Sequence, residues 1–346
     1  MSKLIRILML TMVLSAAFTG CRRPLYYTDQ EGMDVVVKVV WKAEVYPEGE
    51  KPNGVTMYIF RDGEFYKQYT TAEVDSSTVQ LEAGRYRLFM ITQSPEEFGQ
   101  MEFDNMTDFE NASVSVVETE TKWYTRSPNE ELIANPEMMT VGISDEFEIS
   151  EAQVESYLLN VEANTQVRYY TVRVPIYPHS IVSQYWVTIY SDNADVLRSV
   201  RASTSGMART FELTQDKTGD DEGTQFITHW SLTIDDPERR VGHVDGKITT
   251  FGFPRGESPS QMRDSTLNVS ALLVDNKTVE DYVFNVGNKI TSDTPPEGYR
   301  ALYRLIFGSV AAPAIHPPDV KPDSEASGFD ATVSDWEEGE VVEIDM

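Results

Sequence analysis

Hydrophobic residues recur at every second position along most of the chain. Met33, Val35, Val37, Val39 and Trp41 share one parity, with Asp34, Lys38 and Lys42 on the other. Val55, Met57 and Ile59 repeat the pattern before Arg61-Asp62-Gly63, a turn signal. Tyr86, Leu88 and Met90 alternate with Arg85 and Arg87 after Gly84, and Ser113 to Val117 is a further short strand candidate. Successive side chains of a strand point to opposite sides, so such runs predict antiparallel sheets with one face packed and the other wet.

A second series starts near residue 167. Tyr170, Val172, Val174 and Ile176 share a face, as do Tyr185, Val187 and Ile189. The run from Phe226 to Ile234 alternates throughout; Ile248 to Phe253, Leu267 to Val274 and Val279 to Val286 continue the series. Ala331 to Trp336 and Glu340 to Ile344 are the last strand candidates. Between the two series, Ser150 to Asn160 predicts a helix: Ser150 and Gln153 have capping-box spacing, and Val154, Tyr157, Leu158 and Val161 form an apolar stripe. Residues 295–327 are rich in Pro, Gly, Ser and Asp and read as a surface excursion, with a short apolar piece from Ala301 to Val310. The expected fold is all-β: two tandem β-sandwiches, residues 33–162 and 163–346, with a short helix near the junction.

The first twenty residues break this pattern. Lys3 and Arg6 precede an apolar run from Ile7 to Leu14, and small residues Ser15, Ala16, Ala17 and Gly20 lead to Cys21. That run is far shorter than the ~20 residues a bilayer span needs, so it reads as an export signal. Cys21 is the one cysteine of the chain and stands where a bacterial lipoprotein is cleaved and acylated. Residues 1–20 are then a signal peptide, Cys21 is the lipidated residue, and 21–32 form a tether of about 40 Å at full extension. The alternative is ordinary signal cleavage beside an incidental cysteine. Several acyl chains, at about 0.8 kcal/mol per buried methylene, hold a protein durably in a membrane.

Charge sharpens the picture. The 346 residues carry 56 acids and 29 bases, a formal charge of −27; losing Lys3 and Arg6 with the signal makes the remainder −29. No basic stripe is available for phosphates, which excludes a nucleic-acid partner, and an acidic surface is repelled by anionic lipids, so membrane attachment falls to the lipid. One cysteine and four histidines rule out an internal disulfide and speak against a Cys/His zinc cluster.

Motifs for catalysis are missing. His179, His229, His243 and His316 have no second histidine at ligand spacing, and neither a G-x-S-x-G elbow nor a glycine-rich phosphate loop occurs. Asp216, Asp220, Asp221 and Glu222 form the densest internal acidic cluster, but not at the alternating positions of a calcium loop, and read as a solvated loop. Paired glycosidase carboxylates are a spatial matter, and 56 acids produce such pairs by chance. Trp186 and Tyr190, on the parity opposite the core residues of their strand, are candidates for stacking on a sugar face, with burial at a domain junction as the plainer reading. No cofactor is expected.

Three pieces together carry a resemblance: the lipoprotein signal ending in Cys21 ahead of a β-rich domain, the strand Gly84-Arg85-Tyr86-Arg87-Leu88-Phe89-Met90, and the C-terminal stretch Gly328 to Trp336 followed by Glu340 to Ile344. Ser205 to Ala208 and Gly246 to Gly252 add to it. The chain resembles the fimbrillin-like lipoproteins of Bacteroidetes, in particular the FimB-type fimbrial anchor and assembly group. The resemblance implies two transthyretin-like sandwiches, a lipid anchor in the outer membrane, and fimbrial subunit proteins as partners, docked by strand complementation and without catalysis. The tether is short for a shaft subunit, which fits a stationary anchor. Residues 319–346 hold ten acids and one lysine yet keep strand character at Val333, Trp336, Val341 and Ile344. They read either as the last strand of the second sandwich or as a strand given to a partner. A second expectation, of a different class, is a glycan-binding surface lipoprotein of a polysaccharide-uptake system.

Overall fold

The computed structural model describes residues 32–42, 44–45, 51–121, 130–162, 172–256, 258 and 265–323. Nine strands come before the helix: β1 (Met33–Val39), β2 (Val55–Arg61), β3 (Glu64–Thr71), β4 (Ser76–Leu81), β5 (Gly84–Thr92), β6 (Met101–Asp104), β7 (Ser113–Val116), β8 (Thr140–Ile143) and β9 (Phe147–Ile149). Helix α1 spans Glu151–Glu162. The strands β10 (Val172–Ile176), β11 (His179–Ser180), β12 (Ser183–Ser191), β13 (Leu197–Ala208), β14 (Thr210–Glu212), β15 (Lys217–Thr218) and β16 (Glu222–Ile227) follow. The described chain then runs through β17 (Trp230–Asp236), β18 (Val241–Thr250), β19 (Thr266–Leu273), β20 (Val279–Asn285), β21 (Thr291–Asp293) and β22 (Leu302–Phe307).

The architecture is all-β apart from α1 and short helical turns. In the N-terminal sandwich the sheet β10-β1-β4 faces the sheet β11-β8-β5-β2-β3. Its core is the set of alternating residues the sequence presents: Val35 and Val37 from β1, Met57 and Ile59 from β2, Leu88 and Met90 from β5. In the C-terminal sandwich β17-β18-β12-β22-β21 faces β16-β13-β19-β20. Tyr185, Val187 and Ile189 point inward there, as their shared parity requires.

Helix α1 begins as expected. The Ser150 backbone N–H donates to Gln153 Oε1 (2.8 Å) and the Gln153 N–H donates to Ser150 Oγ (3.3 Å), the reciprocal capping box. Val154 and Tyr157 are buried in the N-terminal core, with Leu158 and Val161 packed beside them.

Four expectations change. First, β10 lies parallel to β1, Val35 opposite Val172 through Val39 opposite Ile176, and β11 pairs with β8. The N-terminal sandwich therefore runs to Ser180, and a boundary at 162/163 divides it before its last strands. The physical reason is that β10 returns after the helix to pair beside the chain's first strand, a long-range match invisible in local pattern. Second, β2 and the end of β5 are buried on both faces. Tyr58, Phe60, Phe89 and Ile91, on the parity read as wet, pack under a third layer, the sheet β15-β14-β7-β6, where β6 and β7 meet β14 and β15. The two halves thus share a sheet and one continuous apolar cluster. Third, the run Phe226 to Ile234 is two strands: β16 ends at Ile227 and β17 starts at Trp230 in the opposite sheet, with Trp230 Nε1 donating to Ile227 O (2.9 Å) across the corner. Fourth, Ala301 to Val310 is no surface excursion. It contains β22, which runs parallel to β12 with Gln184 opposite Leu302 through Ile189 opposite Phe307, and buries Leu302, Leu305 and Phe307.

Candidate functional site

Cys21 and the C-terminal candidates Val333, Trp336, Val341 and Ile344 lie outside the described residues. The root of the C-terminal segment is visible: the Asp323 backbone N–H donates to Val274 O (3.0 Å), beside the turn between β19 and β20. That turn is tightly built. Asn276 takes positive φ (58°), and the Asp275 carboxylate accepts from the N–H groups of Lys277 (3.1 Å) and Thr278 (2.9 Å) and from the Thr278 hydroxyl (2.6 Å).

The strand it introduces, β20, ends its sheet. Seven consecutive residue pairs join it to β19 without a bulge, from Thr266 opposite Asn285 to Leu272 opposite Val279. Its other side pairs with no strand among the described residues. Val279 and Val283 are exposed, Val283 at 71%, on the outward parity. The inward parity, Glu280, Tyr282 and Phe284, is only half-covered. Phe284 stacks on Phe307 at 4.3 Å. Burial, with Glu280 and Asp192 nearby, pushes the Tyr282 phenol up to about 12, and its Oη finds no hydrogen-bond partner among the described residues. A strand edge of this kind offers a row of backbone groups and a half-open inner face to an added strand. The alternation of β20 is that of any strand; its edge position follows from pairing order, which alternation does not carry.

Trp186 and Tyr190 both stand on the outward face of β12, flanking Thr188, and are half-buried. Neither ring is bare. The Arg304 guanidinium lies 4.9 Å from the Trp186 ring centroid, while Trp186 Nε1 donates to Gln184 Oε1 (2.8 Å). The Tyr190 ring meets the His243 ring at 5.2 Å. Positions four apart on a strand stand about 13 Å from each other, so the two rings do not form one platform. Between them runs a polar row in which Thr188 Oγ1 donates to Asp245 (2.5 Å) and His243 bridges Asp245 (3.1 Å) and Asp235 (2.7 Å).

Three of the four histidines are paired with aspartates. Besides His243, His316 meets Asp192 (2.7 Å), and His179 of β11 meets Asp216 (2.8 Å) in the turn between β14 and β15. Asp216 also binds the Arg300 guanidinium. Burial raises its carboxyl pKa, but the bonds from His179 and Arg300 outweigh that and hold it below the usual aspartate value. The internal acidic cluster thus divides: Asp216 fastens the junction of the two halves, while Asp220 meets Arg255 at the surface (3.4 Å).

A family description, "Domain of unknown function (DUF5119)", matches residues 20–228. No curated protein matches the chain. Among solved structures, a Bacteroides ovatus protein described as a "putative adhesin" superposes with a TM-score of 0.54 at 16% identity, covering 88% of this chain and 99% of that one. The fimbrial anchor protein Mfa2 from Porphyromonas gingivalis gives a TM-score of 0.43 at 13% identity, covering 79% of this chain and 90% of that one. The first likeness fixes the fold; the second is too distant to carry an argument.

Proposed function

The chain belongs to the DUF5119 family, and on that footing we propose that this member is a lipid-anchored, non-catalytic adhesion protein of the cell envelope, a fimbrial anchor or assembly subunit of the FimB type. The reading rests chiefly on one observation, the regular edge of β20, which no strand covers among the described residues and along which Val279 and Val283 are exposed. The export signal ending at the chain's one cysteine supports the anchor, and no helix among the described residues is long and apolar enough to span a bilayer. In this proposal acyl chains on Cys21 hold the protein in the outer membrane. A fimbrial subunit then adds a strand to β20, with backbone hydrogen bonds supplying affinity and the half-open inner face supplying side-chain pockets. The shared fold with the Bacteroides ovatus protein agrees with adhesion at the cell surface.

Two experiments test it. Cys21→Ala is expected to move the protein out of the carbonate-washed membrane fraction; retention there overturns the lipid anchor. Capture of a purified fimbrial subunit by the body is expected to fall by at least about tenfold in Val283→Lys and to persist in a chain ending at Asp323. Loss only in the shortened chain would instead assign docking to residues 324–346, with Val333, Trp336, Val341 and Ile344 as the donated strand.

A further inference from the structure

The backbone bonds of β19 and β20 fix which groups of the edge are free. The Leu273 N–H donates to Thr278 O (2.9 Å) at one end of the ladder, and the Val286 N–H donates to Ser265 O (2.9 Å) at the other. In an antiparallel ladder such pairs recur at every second residue, so Glu280, Tyr282 and Phe284 aim their backbone groups at β19. Val279, Asp281, Val283 and Asn285 aim theirs at the side that no strand covers among the described residues. Every pairing within this sheet is antiparallel, and a strand added in the same sense bonds to those four residues. It then meets Glu280, Tyr282 and Phe284 at the non-hydrogen-bonded positions, where Cα atoms approach to about 4.5 Å and facing side chains touch.

The inner face met by that strand is apolar at one end and charged at the other. Phe284 is stacked on Phe307, whereas Glu280, half-covered, has neither a hydrogen bond nor an ion pair among the described residues. The other charges along this edge are placed elsewhere. Asp275 binds its own turn, Lys277 lies in that turn ahead of the strand, Asp281 accepts from Ser270 Oγ on the outer face, and Lys289 lies 4.8 Å from the Phe307 ring centroid. A charge pointing inward on an edge strand obstructs pairing, because the added strand takes it out of water. The obstruction falls away for a strand that brings a cation to the facing position. We propose that Glu280 selects the strand that docks at β20, admitting one with lysine or arginine opposite it and an apolar residue four positions earlier, opposite Phe284.

The inference rests on docking at β20 as proposed above and adds the chemistry of the partner's strand. It also says which strands are refused. When two β20 strands overlap fully, Glu280 of each faces Phe284 of the other, so a second copy brings no cation. Residues 324–346 carry eight acids and neither lysine nor arginine, so that segment lacks the cation as well.

The probe is a peptide, Cys-Gly-Gly-Val-Thr-Val-Thr-Lys-Thr, whose lysine faces Glu280 when its first valine faces Phe284. Its isomer ends in Thr-Thr-Lys, which turns the lysine outward against Val279. Composition and charge are equal, so attraction to the acidic body as a whole cancels. A chain from residue 21 with Cys21→Ser and Asn285→Cys has a single cysteine, at the end of β20 where the peptides begin. Disulfide exchange at fixed reductant then reads pairing at the high local concentration a tether supplies, with a Cys-Gly-Ser peptide as baseline. The exchange constant is expected to be at least about tenfold larger for the first peptide than for its isomer. The difference is expected to shrink below about twofold in Glu280→Gln and to reverse in Glu280→Lys. Equal constants above baseline, a preference for the isomer, or a preference that survives Glu280→Gln overturns the selection by Glu280 while docking at β20 stands. Both peptides at baseline overturn docking at β20 and the selection with it.

Discussion

Two strands of similar length end their sheets, and they are finished in opposite ways. At β3 the ladder to β2 is irregular: Ile59 faces Lys67 while Phe60 faces Phe65, leaving Tyr66 as an extra residue. The Lys67 ammonium reaches across to the Gln80 carbonyl of β4, and Tyr66 and Arg61 both bind Glu82, so the edge is stitched to the facing sheet. A bulge and an edge lysine are the devices by which proteins stop neighbours adding a strand. At β20 the ladder is regular over seven pairs, no lysine or proline lies within the strand, and Val279, Asp281 and Val283 face out, with Glu280 the one charge on the inward parity. Among the described residues the β20 edge is uncovered while β3 is blocked, and the proposed docking relies on that contrast.

The difference extends to the core beneath each edge, and there the largest effect is expected. Phe60 is buried between the sheet and its covering layer, with ring contacts to Phe65 (5.8 Å), Phe89 (5.9 Å) and Phe109 (5.3 Å). Phe60→Ala is expected to cost about 3–5 kcal/mol in denaturant unfolding. Phe284→Ala, under the open edge, should cost roughly half as much, since that ring is half-covered. Equal costs would mean that Phe284 in β20 is covered as fully as Phe60 in β2, the strand beside β3. Next comes Val283→Lys, which puts a charge on the outward face of the β20 edge. Partner capture should fall by at least about tenfold, or 1.4 kcal/mol. Stability should move by no more than about 0.5 kcal/mol at so exposed a site.

Between the two edges lies the junction, fastened at Asp216. Asp216→Asn removes the ionised partner of His179 and Arg300. Because the carboxylate is half-exposed, the expected loss is only about 1 kcal/mol near neutral pH. The sign with pH follows from the lowered pKa: the folded state favours the carboxylate, so its contribution is complete above the ordinary aspartate value of about 3.9 and is lost as pH falls through the lowered one. Unfolding curves of the two proteins should therefore converge on acidification. A constant gap would show that Asp216 acts through neutral hydrogen bonds alone.

How far the sequence anticipates this arrangement depends on the range of the interaction. Alternation at Val35/Val37, Met57/Ile59 and Tyr185/Val187 identifies core strands because period two is a local consequence of the pleat. The capping box at Ser150 is equally local and holds. Phe60 and Phe89 were legible as strand residues, but their burial depends on the distant strands β6, β7, β14 and β15 lying over them. The parallel partners β10 and β22 depend on long returns of the chain, and the composition of residues 295–327 hides β22 among prolines and glycines. The edge of β20 was illegible for the same reason: being last in a sheet is a property of pairing order, and Val279 to Asn285 alternates like any inner strand. The parity of Trp186 and Tyr190 puts them on the outward face, but their covers, Arg304 and His243, come from strands far away in sequence.

The smallest expected effect tests the guard itself. Lys67 sits in an edge strand whose neighbours are already satisfied, and its bond to the Gln80 carbonyl is partly solvent-exposed, so Lys67→Val should change unfolding free energy by only a few tenths of a kcal/mol. Its consequence should appear in association. Valine has high strand propensity and no charge, so β3 would lose the inward-pointing lysine of its edge and keep only the bulge as a guard. Sedimentation velocity on Lys67→Val should then show weak, concentration-dependent self-association absent from the parent chain. The bulge at Tyr66 remains and limits it. If Lys67→Val stays monomeric at the highest soluble concentration, the bulge and the Arg61–Glu82 stitch suffice to close the edge. The contrast with β20 would then lie in regularity of the ladder rather than in charge.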